Sequence, residues 1–154
     1  MTIKVLTVDD SNFMRNIIKK ALEKEEFNYV IPMDGDGEDK PEDIKEFIIK
    51  TVQNAGANAC PPYVIGIGLG GTFDKAAYLS KKALLKEKSE DKELEEFESD
   101  ILNEVNKTGI GPAGLGGKVT ALDVKILTYP CHIASLPVAV NINCHAARHI
   151  TITI

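Results

Sequence analysis

The sequence predicts an α/β fold in which a mixed central sheet is flanked by helices, with glycine-rich turns at the strand ends. Two observations lead to this prediction. Short β-branched apolar runs alternate with longer segments in which apolar residues recur every three or four positions. Glycine clusters at 66–71 and 109–117 lie where predicted elements end, so the backbone there must turn tightly or approach another group closely.

The first forty residues predict a β-α-β opening. The apolar run 3–8 is a predicted strand that ends at Asp9-Asp10-Ser11, a typical helix N-cap, and one-faced helical periodicity follows over 13–26. A second strand, 27–31, then leads into the segment 32–41, which combines Gly, Pro and acidic residues that no regular element tolerates. This segment marks the boundary between residues 1–40 and residues 41–154, which together are expected to form one compact unit.

Residues 41–154 predict further helices and strands in alternation. Cys60-Pro-Pro is predicted as an extended turn, because a residue before proline is pushed out of the α region. The charged run 86–93 is predicted to be a solvent-exposed connection, and Gly109 ends the last helix. The predicted helices are 41–56, 72–85 and 94–108, and the predicted strands are 63–69, 119–128 and 136–142, while 150–154 is either a further strand or a frayed tail.

Composition narrows the class of protein. The chain has 154 residues, 44% hydrophobic and 27% charged, and a formal charge of −5, which leaves no excess of cations for nucleic acid. Its apolar runs are far shorter than the roughly 20 residues that span a bilayer, and its start lacks a secretory signal. We therefore expect a cytoplasmic protein that binds neither nucleic acid nor membranes.

The motif Gly66-Ile-Gly-Leu-Gly-Gly71 lies between a predicted strand and a predicted helix, which is the context of a dinucleotide-binding turn. That fingerprint requires an acidic residue at the end of the next strand, and the charged run 86–93 stands there instead. A tight strand-to-helix turn is therefore favoured over a nucleotide site.

Three cysteines, Cys60, Cys131 and Cys144, are the more promising group, since His132 and His145 stand beside two of them. An odd count without a secretory signal favours free thiols or metal ligands over a disulfide framework. Their wide spacing matches no zinc-finger or ferredoxin pattern, so spacing alone leaves both ordinary thiols and a metal site open.

Several long motifs follow one another along the second part of the chain. They are Asn58-Ala-Cys60-Pro-Pro-Tyr, Gly66-Ile-Gly-Leu-Gly-Gly-Thr-Phe-Asp-Lys-Ala-Ala77, Gly109-Ile-Gly-Pro-Ala-Gly-Leu-Gly-Gly-Lys118, Tyr129-Pro-Cys-His132 and Asn141-Ile-Asn-Cys-His-Ala-Ala-Arg148. With these motifs residues 44–149 resemble the class I, iron–sulfur-dependent fumarases and the related L-tartrate dehydratases, in the later part of their alpha region.

The resemblance implies a [4Fe–4S] cluster with one open iron, which acts as a Lewis acid on a small dicarboxylate substrate. Cys60 and Cys144 match two of the three cluster cysteines, and the third family ligand is missing from this chain. His132 matches the active-site histidine that contacts substrate, whereas Cys131 matches no ligand.

The resemblance also implies how the protein is completed. The second catalytic region of the family is absent, so we expect a partial or subunit form of a hydro-lyase, inactive alone. A fumarase beta subunit or a missing domain would complete it, and a homodimer is expected. A catalytically inert natural or engineered fusion domain is the alternative.

Residues 1–38 are similar to the start of a chemotaxis-type response-regulator receiver domain. Asp9 and Asp10 would match the acidic pair that binds Mg²⁺ in that family, since paired carboxylates suit a hard cation. Residues 50–63 contain no Asp that could accept a phosphoryl group. A chimera with a receiver-like opening and a receiver-like signalling protein therefore remain as further alternatives, and a solvated N-cap is the favoured role of the acidic pair.

Overall fold

The structure is a computed structural model that describes residues 29–34, 41–87, 91–132 and 135–146. The predicted elements at 3–8, 13–26 and 150–154 lie outside these residues, as do Asp9 and Asp10. The division of the chain at residue 40 stays a prediction.

The described strands form one mixed sheet in the order β1-β4-β2-β3. Strand β4 is antiparallel to both of its neighbours, β1 and β2, whereas β2 and β3 are parallel. This arrangement confirms the predicted α/β fold. The strands are β1 (Tyr29–Asp34), β2 (Tyr63–Gly70), β3 (Ala121–Tyr129) and β4 (Ser135–Cys144).

The helices of the described residues that cover the sheet are α1 (Pro41–Ala55), α2 (Phe73–Ala83) and α3 (Lys92–Lys107). Two short 3-10 helices, Gly56–Ala59 and Pro112–Gly114, extend the chain before β2 and before β3. The start of α3 is capped by Asp91, whose carboxylate accepts hydrogen bonds from the backbone N–H groups of Glu93 and Leu94. Among the described residues, no helix is long and apolar enough to cross a membrane.

Helices α1 and α3 pack on one face of the sheet and form the main core with it. The apolar side chains recur at helical spacing along α1 and alternate along the strands, as one-sided burial requires. Buried residues of this core include Ile44, Ile48 and Val52 of α1, Ile101 and Val105 of α3, Ile65 and Ile67 of β2, Val124 and Ile126 of β3, and Val138 and Val140 of β4.

Helix α2 lies on the opposite face, close to the backbone of β2. A Cβ atom added to Gly68 would overlap the Ala76 carbonyl oxygen, and one added to Gly66 would overlap the Ser80 carbonyl oxygen. The first two glycines of the 66–71 motif therefore lie inside strand β2, and their missing side chains let the backbone of α2 pack directly against it. The predicted strand-to-helix turn is confined to Gly70 and Gly71, both of which have positive φ.

Strand β3 is an edge strand of the described sheet, and an ion pair covers part of its outer edge. Glu98 accepts a hydrogen bond from the Ile126 N–H at 2.7 Å, while the Lys86 ammonium donates to the Ile126 carbonyl at 2.8 Å. Lys86 and Glu98 also pair at 2.9 Å, with side chains only 16% and 11% exposed. The prediction that the run 86–93 is solvent-exposed is therefore wrong for Lys86, because tertiary pairing draws it onto the sheet.

Strand β1 also differs from the prediction. It continues through Pro32 to Asp34, where the sequence predicted no regular element. Pairing with β4 explains the extension, since Pro32 lies opposite Pro137 and Asp34 opposite Ser135. As an edge strand of the described sheet, β1 tolerates a proline that a central strand would exclude.

Candidate active site

One end of the sheet, where β2 begins and β4 ends, brings two of the three cysteines together; we call it the cysteine end. Cys144 is the last residue of β4 and lies opposite Tyr63, the first residue of β2. Cys60 stands three residues before Tyr63, in the turn that leads into β2. Antiparallel pairing of β2 with β4 therefore joins residues that are distant in sequence.

Cys60 closes the first 3-10 helix in a left-handed backbone conformation, with φ 54° and ψ 69°. Its N–H donates a hydrogen bond to the Ala57 carbonyl at 3.1 Å, and its side chain is exposed. The predicted extended conformation is wrong for this residue, because helix closure in the left-handed region overrides the preference that the following proline imposes. The Pro61–Pro62 peptide bond is cis.

The glycine-rich loop 109–117 packs beside Cys60. The Ala113 N–H donates to the Pro61 carbonyl at 2.9 Å, and a Cβ added to Gly114 would overlap the Ala57 side chain. The loop is closed on itself by a hydrogen bond from the Gly116 N–H to the Ile110 carbonyl at 2.8 Å. Tight turning and close approach, which the composition of this segment predicts, are both confirmed.

His145 contacts both cysteines of the cysteine end. Its Nδ1 atom lies 3.1 Å from the Cys60 carbonyl oxygen and 3.8 Å from Cys144 Sγ. The Ala146 N–H also donates a hydrogen bond to Cys144 Sγ at 3.4 Å. The sequence indicated His145 only as a neighbour of Cys144, and nothing in its spacing could reveal a contact with Cys60.

Tyr63 supports the cysteine end from the core side. Its ring is buried, and its hydroxyl donates a hydrogen bond to the Gly56 carbonyl at the start of the 3-10 helix. Burial, and secondarily the nearby Cys60 thiol, raises the pKa of Tyr63 to about 12. The phenol therefore stays neutral and holds the 3-10 helix against β2 over the ordinary pH range.

Cys131 and His132 lie at the opposite end of the sheet. They follow β3, which ends beside the last residue of β2, and both are exposed. His132 precedes β4, whereas Cys144 ends it, and the ten residues of that strand span about 30 Å. The structure therefore brings Cys60, Cys144 and His145 together but leaves His132 far from them.

The residues at the cysteine end fit part of an iron–sulfur site. They offer two free sulfur ligands, with a backbone N–H directed at one of them, and hydrogen bonds to sulfur are a normal feature of such sites. Within residues 29–34, 41–87, 91–132 and 135–146, no group of three His, Cys, Asp or Glu side chains is placed to hold a metal ion. A complete ligand set therefore requires a further group.

Comparison with known proteins gives the family. The sequence profile described as Fumarate hydratase (Fumerase) matches residues 7–153. That match extends into the segment 1–38, so the proposed receiver-like opening, and with it a chimera, is not supported. The inert fusion domain and the receiver-like signalling protein are not favoured either.

Curated relatives point the same way. Over 110 residues the chain is 52% identical to a protein of Methanocaldococcus jannaschii named as a candidate L(+)-tartrate dehydratase subunit alpha, covering 70% of this chain and 39% of that protein. It is 31% identical over 116 residues to the L(+)-tartrate dehydratase subunit alpha of Escherichia coli K12, covering 73% of this chain and 38% of the relative. The Shigella sonnei protein of the same name matches equally.

The chain spans about two fifths of the length of these relatives. The profile match nevertheless covers nearly the whole sequence. The motifs that contain Cys60 and Cys144 lie at the cysteine end, and the motif that begins at Gly66 lies on β2 and α2. The chain therefore belongs to the Fumarate hydratase (Fumerase) family.

Proposed function

We propose that this chain forms part of an alpha-type component of an iron–sulfur-dependent hydro-lyase, which adds water to or removes it from a small dicarboxylic acid. One observation carries the proposal: Cys60 and Cys144, in a chain of this family, meet at one end of the sheet around His145. The two cysteines are far apart in the sequence, and the pairing of β2 with β4 brings them to the same end of the sheet.

In this proposal Cys60 and Cys144 are two cysteine ligands of a [4Fe–4S] cluster. When bound, such a cluster supplies a Lewis-acidic iron that polarises a hydroxyl or carboxylate oxygen. The chain's own contribution is to fix the two sulfurs on a rigid strand end and a hydrogen-bonded turn. The Ala146 N–H stabilises negative charge on the Cys144 sulfur.

The remaining ligand is supplied from outside the described residues, because two sulfurs do not complete the site. The relatives are named alpha subunits, which supports a beta subunit as the partner that completes the enzyme. We place the complex in the cytoplasm, where the three cysteines, all of them free in the structure, would stay reduced.

We propose that His132 contacts substrate and that it does so within a homodimer of this chain. Because about 30 Å of β4 separates His132 from the Cys144 end of its own chain, it cannot reach a substrate bound there. His132 would instead serve the cysteine end of a second copy. Each active site would then contain residues of two alpha chains.

The test is hydro-lyase activity of the chain assembled with its beta partner after anaerobic reconstitution with iron and sulfide. Fumarate, malate and L-tartrate are offered in turn, and the reaction is followed by the absorbance of the unsaturated diacid or, for L-tartrate, of the keto diacid that its enol product forms. Activity that is lost in Cys60→Ser and Cys144→Ser but kept in Cys131→Ser supports the proposal. An active complex that contains no iron would contradict it.

A further inference from the structure

We propose that His145 is a positioning residue that fixes the Cys60 turn relative to Cys144. The inference rests on the proposed function, because it gives His145 a role toward the two sulfur ligands. One ring atom, Nδ1, contacts the carbonyl oxygen of Cys60 and the sulfur of Cys144 at 3.1 and 3.8 Å. His145 thus connects the turn before β2 to the end of β4.

The Cys60 backbone requires such support. A non-glycine residue in the left-handed region is strained, and such residues persist where neighbouring groups hold them from several sides. The N–H of Cys60 is held by Ala57, and its carbonyl is held by His145. The next carbonyl, that of Pro61, is held by the Ala113 N–H. The direction of the Cys60 side chain is therefore set by hydrogen bonds on both sides of it.

The contact with Cys60 also fixes the tautomer of His145. A carbonyl oxygen can only accept a hydrogen bond, so Nδ1 must carry the proton in the neutral ring. The Nδ1–H group then has the carbonyl as its principal acceptor and the Cys144 sulfur as a weaker second one. A backbone carbonyl that orients an imidazole in this way is a recurrent feature around metal sites.

Stability alone gives little reason for this arrangement. His145 is exposed. An exposed neutral hydrogen bond contributes little to the free energy of folding, whereas a fixed separation of two ligands matters strongly to a metal site.

The first test is ¹⁵N NMR of the His145 ring in the metal-free chain, recorded on the neutral ring. A free histidine side chain favours the Nε2–H tautomer, so a predominant Nδ1–H signal supports the proposal. A predominant Nε2–H signal would overturn it, whether or not the protein binds iron.

The second test uses amide hydrogen exchange in the metal-free chain. His145→Ala should speed exchange of the Cys60 and Ala113 amides about fivefold, the change expected for one lost hydrogen bond. His145→Asn, whose amide can donate to the same carbonyl, should restore slow exchange. The Ile126 amide, bonded to Glu98, serves as an internal reference. Equal exchange in all three proteins would contradict the positioning role.

The third test measures iron retention by the chain reconstituted with its beta partner. His145→Ala should lower iron affinity by about tenfold or more and shift the visible absorption, with rescue by His145→Asn. Unchanged affinity and absorption in His145→Ala would overturn the inference. Wild-type protein that takes up no iron would instead overturn the proposed function. The ¹⁵N NMR and amide-exchange measurements on the metal-free chain would still decide the role of His145.

Discussion

Tyr63 and Cys60 illustrate how single residues at the cysteine end depend on their surroundings. Cys60 adopts a left-handed conformation that its neighbours in sequence disfavour, and Tyr63 holds the 3-10 helix before it through the Gly56 carbonyl. The sequence identifies the cysteine and the aromatic residue, but long-range contacts decide the backbone conformation of one and the hydrogen bond of the other.

The raised pKa of Tyr63 leads us to expect a loss of folding stability at high pH. Its pKa of about 12 in the folded state exceeds the ordinary value of 10.0, so the folded chain holds the phenol proton more tightly than the unfolded chain. The stabilisation is complete below pH 10 and is lost as pH rises from 10 to 12. Tyr63→Phe has no phenol to titrate. Between pH 10 and pH 12 its free energy of unfolding should therefore fall by about 1–2 kcal/mol less than that of the wild type, after allowance for solvent screening.

The measurement is urea unfolding of both proteins between pH 8 and pH 12, because the difference between them isolates Tyr63 from other titrating groups. At neutral pH the variant should be weaker by about 1 kcal/mol, the value of one hydrogen bond. Parallel pH profiles for the two proteins would contradict the assignment.

At the scale of elements, the packing of α2 on β2 depends on missing side chains. Gly66 and Gly68 alternate with Ile65 and Ile67, so one face of the strand is apolar and the other is bare backbone. The bare face lets α2 lie directly against β2, with the Ala76 and Ser80 backbone closest to the two glycines. The first two glycines of the motif therefore serve helix packing.

Gly68→Ala should destabilise the protein by about 3 kcal/mol, since the new methyl group would overlap the Ala76 carbonyl and displace α2. Gly109→Ala is the matched control, because Gly109 has positive φ but open space around it. That variant should lose only about 1 kcal/mol from backbone strain. Thermal unfolding followed by circular dichroism compares the two; equal losses would contradict close packing of α2 on β2.

The ion pair at the outer edge of β3 gives a second prediction at this scale. Glu98→Ala leaves Lys86 and the Ile126 N–H without their shared partner and should cost about 2–3 kcal/mol. Glu96→Ala, an exposed position on the same helix, should change stability by less than about 0.5 kcal/mol. Chemical denaturation measures both variants. A Glu98 variant as stable as the control would show that the pair does not hold the edge strand.

At the scale of the whole molecule, the sheet separates the cysteine end from the end that carries Cys131 and His132. The sequence predicts helices 41–56, 72–85 and 94–108 close to their observed bounds, because their periodicity is strong. It could not predict which strand ends meet, since strand order depends on tertiary pairing. The motifs around Cys60 and Cys144 identify these two cysteines. The contact of His145 with the Cys60 turn and the distance to His132 depend on strand order, so the sequence could not predict them.

The proposal that His132 serves the cysteine end of a second copy predicts complementation between chains. A His132→Asn chain and a Cys144→Ser chain should each be inactive with the beta partner, whereas a mixture assembled together should recover activity. Random pairing of the two chains gives about a quarter of wild-type activity, because half of the dimers are mixed and each has one intact site. No recovery in verified mixed dimers would remove His132 from the site of a second copy.

The most direct test of the central claim is the iron and acid-labile sulfide content of Cys144→Ser after anaerobic reconstitution with the beta partner, compared with wild type and with Cys131→Ser. Both cysteines follow or end a strand near an exposed histidine, but only Cys144 lies at the cysteine end. If Cys144 is a cluster ligand, wild type and Cys131→Ser retain iron and sulfide, and Cys144→Ser loses both. A full complement in Cys144→Ser would contradict it.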